Sequence, residues 1–114
     1  MSYQESLEAA GAIVLIFDSF GSYQGDWWAK VEYNGRIGWV NGSYGSCSGC
    51  DAFEAEFGWN DDEQPDYQER LADFGRSYLD NLYTQEEAEK ESSKYLDWDM
   101  DAQEMLDFIK KNNI

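Results

Sequence analysis

The chain of 114 residues carries 24 acidic and 8 basic side chains and no histidine, which gives a formal net charge of −16. This length predicts a single domain, residues 1–114, whose modest core draws on an aromatic content of 17%. The charge argues against direct binding to nucleic acid or to an anionic membrane surface. No stretch reaches the roughly 20 apolar residues of a membrane span.

The negative charge has two interpretations. It keeps a small protein soluble, or it attracts a basic partner, and the commonest strongly basic surfaces in a cell are those that hold nucleic acid. Because the first residues, Met1–Ser6, lack the basic region of a signal peptide, we expect the protein in the cytoplasm of a host cell. The two cysteines are then expected to stay reduced.

The chain begins with a predicted short helix over Ser2–Ala10, in which Ser2 and Glu5 have the spacing of a weak capping box. Ala12–Phe17 is a continuous apolar run, typical of a strand that is buried on both faces. The polar residues of Asp18–Asp26 are flanked by glycines and predict a loop.

A hairpin is predicted next, with strands near residues 27–32 and 36–43. A two-residue Asn34-Gly35 turn would pair Val31 with Gly38 and mix polar and apolar residues on each face. A three-residue loop with a left-handed Gly35 pairs Val31 with Ile37 instead. We predict this second register, which leaves Trp28 on the opposite face. There we expect a helix to cover it, and the alternative is that it is exposed for a partner. The apolar face that this register collects consists of Trp27, Ala29, Val31, Ile37 and Trp39.

Both cysteines lie in the turn after the last predicted strand, in Tyr44-Gly45-Ser46-Cys47-Ser48-Gly49-Cys50-Asp51. Cys50 is expected near a helix N-terminus, where the helix dipole favours the thiolate. Cys-x-x-Cys is half of a structural zinc site, so we predict one zinc per chain or per dimer on Cys47 and Cys50. Asp51 or Glu54 with water, or groups from a second chain, would complete the ligands. A plain turn with two free thiols and a redox pair are the alternatives.

Helices are predicted near residues 51–57, 66–82, 85–96 and 101–111. Gly75 lies in the second of these and weakens it by about 1 kcal/mol relative to alanine. Thr84-x-x-Glu87 is a capping box that opens a peripheral third helix. In the fourth helix we expect four side chains to face the core: Ala102, Met105, Leu106 and Ile109. The fold class is therefore α+β, an antiparallel sheet of three or more strands followed by three to four helices packed on it.

The densest acidic clusters are the predicted partner-binding residues. Rigidly held carboxylates can imitate phosphates, since duplex DNA carries one charge per about 1.7 Å of its axis. The first cluster consists of Asp61, Asp62, Glu63 and Asp66, and the second consists of Glu86, Glu87, Glu89 and Glu91. Asp97–Asp101 forms a third cluster. No residue is assigned a catalytic role, because the sequence has no histidine, no Gly-x-Ser-x-Gly and no EF-hand spacing.

The run Tyr44-Gly45-Ser46-Cys47 through Cys50-Asp51-Ala52 resembles a Tyr-Gly-Ser-Cys-x-x-Cys-Asp-Ala motif in small acidic proteins of phages and mobile elements. The resemblance covers residues 25–60. In size, acidity and aromatic content the chain also resembles anti-CRISPR proteins that block Cas9-type nucleases, some of which contain zinc. This resemblance implies a phage-encoded inhibitor that acts by protein–protein contact.

The sequence therefore predicts a non-enzymatic acidic inhibitor that binds a basic nucleic-acid-binding surface of a Cas9-type host defence nuclease and blocks DNA loading or cleavage. It would act as a DNA mimic, as a monomer or dimer, with no direct nucleic acid or membrane contact and with a structural zinc. The alternatives are a small thiol-redox protein that uses Cys47 and Cys50, and a phage structural adaptor.

Overall fold

The computed structural model describes residues 3–21, 25–45, 51–57, 65–94, 96 and 101–113, without the side chain of Glu54. Three strands and five helices lie within these residues. In chain order they are α1 (Tyr3–Ala9), β1 (Ile13–Gly21), β2 (Gly25–Tyr33), β3 (Arg36–Tyr44), α2 (Ala52–Phe57), α3 (Tyr67–Leu79), α4 (Gln85–Ser93) and α5 (Ala102–Lys111).

The strands form an antiparallel sheet in the order β1-β2-β3, so that β2 is central. One face of the sheet packs against α1 and α3 around Trp27, Ala29 and Val31. The other face packs against α4 and α5 around Trp28 and Trp39. The predicted α+β class is confirmed, and so is the expectation that Trp28 is covered. The helices cover both faces of the sheet and give three layers.

The predicted hairpin register is wrong. The structure has the two-residue turn: Asn34 and Gly35 both have positive φ, 53° and 76°, and Val31 pairs with Gly38. Positive φ at both central residues is the geometry that matches the twist of the flanking strands. This register mixes polar and apolar residues on each face of the hairpin, which is why the sequence argued against it. Because helices cover both faces of the sheet, apolar residues are buried on either face.

Lys30 shows how the mixed face is accommodated. It pairs with Trp39 and is buried, yet its Nζ donates to the carbonyl oxygen of Asn112 at 2.8 Å, just past the end of α5. The same ammonium lies 5.8 Å from the centre of the Trp39 ring. A helix C-terminus and an aromatic ring both favour a cation. Trp39 and Ile37 therefore lie on the face opposite Trp27, and Ile37 is exposed.

The first strand also differs from the prediction of burial on both faces. β1 is an edge strand, and Ile13 and Leu15 are 58% and 51% exposed. The register shifts between Val14 and Ile16, so Leu15 is the extra residue of a bulge. The predicted loop over Asp18–Asp26 is shorter, because Asp18–Gly21 extends β1 and β2 begins at Gly25.

The helices follow the sequence closely except at their ends. The side chains buried on α5 are the four predicted, and the Thr84–Glu87 capping box is present in both directions. α3 ends at Leu79 and not near residue 82, because Tyr83 forms a two-way backbone bridge to Trp39 on β3. α4 ends at Ser93 and not at residue 96.

Gly75 lies where α3 crosses α1. A Cβ placed there would come within 1.9 Å of the carbonyl oxygen of Ser6. Glycine therefore permits the close approach of two helix backbones. The sequence indicated only its cost to helix propensity.

Candidate functional site

The predicted partner-binding residues divide into those that lie outside the described residues and those that the structure places. Asp61, Asp62 and Glu63 lie outside. Asp66 is exposed at the N-cap position of α3, where its side chain makes no capping hydrogen bond. Of the third cluster, only Asp101 is described, half-buried at the start of α5.

The acidic cluster on α4 is largely engaged within its own helix. Glu87 accepts a hydrogen bond from the Thr84 backbone nitrogen at 2.9 Å, and this bond lowers the pKa of Glu87. Glu89 accepts from Gln85 at 3.0 Å, and Glu91 pairs with Lys94 at 2.7 Å. Glu86 is exposed. Three of these four carboxylates therefore stabilise α4 or its ends.

A second acidic surface lies on α3, and of its residues only Asp66 was predicted. Asp66, Glu69, Asp73 and Asp80 follow each other at spacings of three, four and seven, which places them along one side of the helix. All four are exposed. We call these four residues the acidic face. Their spacing follows the helical period that also predicted the inward face of the last helix, so the same search applied to charged residues would have found them.

Basic residues near the acidic face are already paired. Arg76 forms an ion pair with Asp73. Arg70 donates to the backbone oxygen of Glu56 at 2.8 Å and lies 5.2 Å from the centre of the Phe57 ring. No lysine lies in the helices of this layer, α1, α2 and α3. On the other side of the sheet, α5 ends in Lys110 and Lys111.

An aromatic cluster beneath α3 holds this helix against the sheet. The Tyr3 ring has its centre 5.3 Å from that of Trp27, 5.9 Å from that of Phe74 and 6.2 Å from that of Tyr78. Trp27 in turn stacks on Phe17 at 5.5 Å. Such ring pairs stabilise beyond the area that they bury. The carboxylates of the acidic face therefore project from a well-packed support.

The cysteine turn can be assessed only through Asp51, because Cys47, Cys50 and the side chain of Glu54 lie outside the described residues. Asp51 is 2% exposed, and its Oδ1 accepts hydrogen bonds from the Tyr3 hydroxyl at 2.8 Å and from the Gly45 backbone nitrogen at 2.9 Å. It joins α1, the end of β3 and the start of α2.

Burial around this carboxylate affects two tyrosines. Burial raises the pKa of Tyr3 well above its ordinary value, and the hydrogen bond to Asp51 adds to the shift. Burial and then the negative charge of Asp51 raise the pKa of Tyr78. Both hydroxyls therefore remain protonated at neutral pH.

Among the described residues, no group of three or more potential metal ligands comes together. None of the described helices combines the length and apolar character needed to cross a membrane.

Comparison with known proteins yields no match among protein families, curated proteins or solved structures.

Proposed function

We propose that this protein is a non-enzymatic acidic inhibitor that binds a basic nucleic-acid-binding surface of a Cas9-type defence nuclease. Bound there, it would exclude DNA from the surface and so block DNA loading or cleavage. The protein would act in the cytoplasm of the host cell. The contact would be between two proteins, with the acidic face of α3 at its centre.

The charge density is the observation that supports this proposal most. A net charge of −16 over a longest dimension of 42 Å corresponds to one charge per about 2.6 Å, against about 1.7 Å for duplex DNA. The acidic face alone is much sparser, with four carboxylates over about 21 Å of helix rise. Imitation of DNA therefore requires a broad surface, of which the acidic face is the best-supported part.

The acidic face is better suited to a basic partner than the α4 cluster is. Its residues Asp66, Glu69 and Asp80 make no ion pair within the described part of the chain, whereas Glu91 on α4 is paired with Lys94. A partner's cations do not have to displace an existing interaction at these three positions. Attraction between opposite surface charges raises association rates and weakens with salt.

Two matched charge reversals test which side of the sheet makes contact. Asp66→Lys with Glu69→Lys changes the net charge by four on α3, and Glu104→Lys with Asp107→Lys makes the same change at exposed positions of α5. We expect the α3 variant to bind a purified Cas9-type nuclease at least about tenfold more weakly and the α5 variant to lose much less. Measurements with and without guide RNA identify the form of the nuclease that is bound. Equal losses in the two variants would mean that net charge alone governs binding.

The structural zinc is part of the same proposal. Cys47 and Cys50 would hold it, joined by Asp51 or Glu54 and water, and it would fix the end of β3 against α2. Because a metal bound only by the folded protein adds to stability, chelation should lower Tm. Elemental analysis of protein purified without a histidine tag should find zinc, and Cys47→Ser with Cys50→Ser should lose it. Protein without zinc, or a double variant that retains it, would mean that the Cys-x-x-Cys motif is a plain turn and not a metal site.

A further inference from the structure

An open groove of about 270 Å³ lies between the edge strand β3 and the C-terminal end of α3. It forms because two segments meet at one point and then separate. Trp39 and Tyr83 exchange backbone hydrogen bonds of 2.8 Å in both directions. The antiparallel direction of this bridge would next pair Asn41 with Asn81. The chain there has just left α3, so the pairing stops and the groove opens. Its lining residues are Val40, Asn41, Ser77, Tyr78, Asp80, Asn81 and Tyr83.

The chemistry of the groove favours a cation. Asp80 contributes an exposed carboxylate, and no lysine or arginine is among the lining residues. The last carbonyls of the 13-residue helix α3 lie at this end and carry the negative pole of its dipole. Tyr78 and Tyr83 also line the groove, and aromatic rings attract cations through their quadrupoles.

Polar side chains in the groove are available to a ligand. The side chains of Asn41, Asp80 and Asn81 make no hydrogen bond within the described part of the chain. These three residues lie on both walls of the groove, Asn41 on β3 and Asp80 and Asn81 after α3. A compact ammonium would satisfy few of these acceptors, whereas a guanidinium has five donors in a plane and can also stack on a tyrosine ring.

We propose that the groove binds the guanidinium of an arginine side chain on the basic partner. This inference rests on the proposed function and gives it an anchoring contact. The volume is just below the 300–1,000 Å³ typical of small-molecule sites, which suits one inserted side chain. Asp80 at the end of the acidic face makes the charge contact, and the asparagines on either side orient the planar group.

The site can be tested without the partner. N-acetyl-arginine methylamide is titrated into ¹⁵N-labelled protein, and the neutral citrulline analogue is titrated at matched ionic strength. We expect saturable amide shifts centred on Asn41, Ser77, Asp80 and Asn81 with the arginine probe only. Asp80→Asn should weaken the apparent Kd about fivefold or more. Glu104→Gln removes the same charge at an exposed position of α5, outside both the groove and the acidic face, and should change the Kd less than about twofold.

Three results would overturn the inference: equal shifts with both probes, shifts spread evenly over the acidic surface, or equal losses from the two variants. Both substitutions are at exposed positions, and unchanged thermal unfolding of each variant shows that the fold is retained.

The nuclease separates the two proposals. If the parent protein binds the nuclease and Asp80→Asn binds as well as Glu104→Gln, the groove does not anchor the partner, although the proposed function stands. If the arginine probe occupies the groove but no nuclease is bound at low salt, the groove assignment stands and the proposed function fails.

Discussion

For the substitution of Gly75 by alanine, helix propensity and the packing of α3 on α1 predict opposite changes in the free energy of unfolding. Propensity alone gives a gain of about 1 kcal/mol in the free energy of unfolding. The added Cβ would lie 1.9 Å from the carbonyl oxygen and 2.3 Å from the carbonyl carbon of Ser6. These are backbone atoms of α1, which cannot rotate away, so the upper end of the usual overpacking cost applies, about 3 kcal/mol. The expected net result is a loss of about 2 kcal/mol.

For a domain of this size such a loss lowers Tm by about 10 °C. Thermal and urea unfolding followed by far-ultraviolet circular dichroism would measure it. Gln68→Ala is the matched control, because it also introduces alanine on α3 but at an exposed position, and it should change stability by less than about 0.5 kcal/mol. A Gly75→Ala protein that is more stable than the parent would refute the close packing of α1 on α3.

Three further substitutions test local features by the same unfolding measurements. Thr84→Ala removes the acceptor for the Glu87 backbone nitrogen and should cost about 1 kcal/mol, and no change would mean that the capping box contributes nothing. Gly35→Ala should cost about 1 kcal/mol from its positive φ alone, since a Cβ there meets nothing within 4 Å, and a much larger loss would contradict the turn. Tyr3→Phe removes a donor to buried Asp51 and should cost about 1–3 kcal/mol. Folding raises the pKa of Tyr3, so its hydroxyl contributes fully to the free energy of unfolding below the ordinary tyrosine pKa of about 10. This contribution is lost as pH rises further. The parent should therefore lose more stability above pH 10 than the Tyr3→Phe protein.

Local patterns in the sequence predicted the features that depend on local physics. The inward face of α5 follows from helical periodicity, and the Thr84 cap follows from the four-residue motif that forms it. The α+β class follows from the order of the elements. Each of these needs no knowledge of which elements become neighbours.

The errors arose where distant elements decide the outcome. The hairpin register depended on whether one or both faces of the sheet are covered, and the partner of Lys30 is 82 residues away at Asn112. The exposure of β1 depended on the strand order, which places β2 in the middle. The role of Gly75 depended on the crossing of α1 and α3. In each case tertiary contacts outweighed the local pattern.

The candidate site was predicted only in part. Asp66 was predicted and is part of the acidic face, while Glu69, Asp73 and Asp80 were not, because they are spread along a helix and do not form a run. Asp51 was predicted as a metal ligand, and the structure shows it joining three elements through Tyr3 and Gly45. A contiguous charge run is easy to find in a sequence, but a charged surface is assembled by the helical period.

The most direct test of the central proposal is the affinity of this protein for a Cas9-type nuclease loaded with guide RNA, measured by calorimetry over a range of salt concentrations. The measurement is then repeated after the nuclease has bound its target DNA. We predict an affinity that falls steeply with salt and is lost once DNA occupies the nuclease. No binding at low salt, or undiminished binding to the DNA-loaded nuclease, would contradict the proposal that the acidic surface takes the place of DNA.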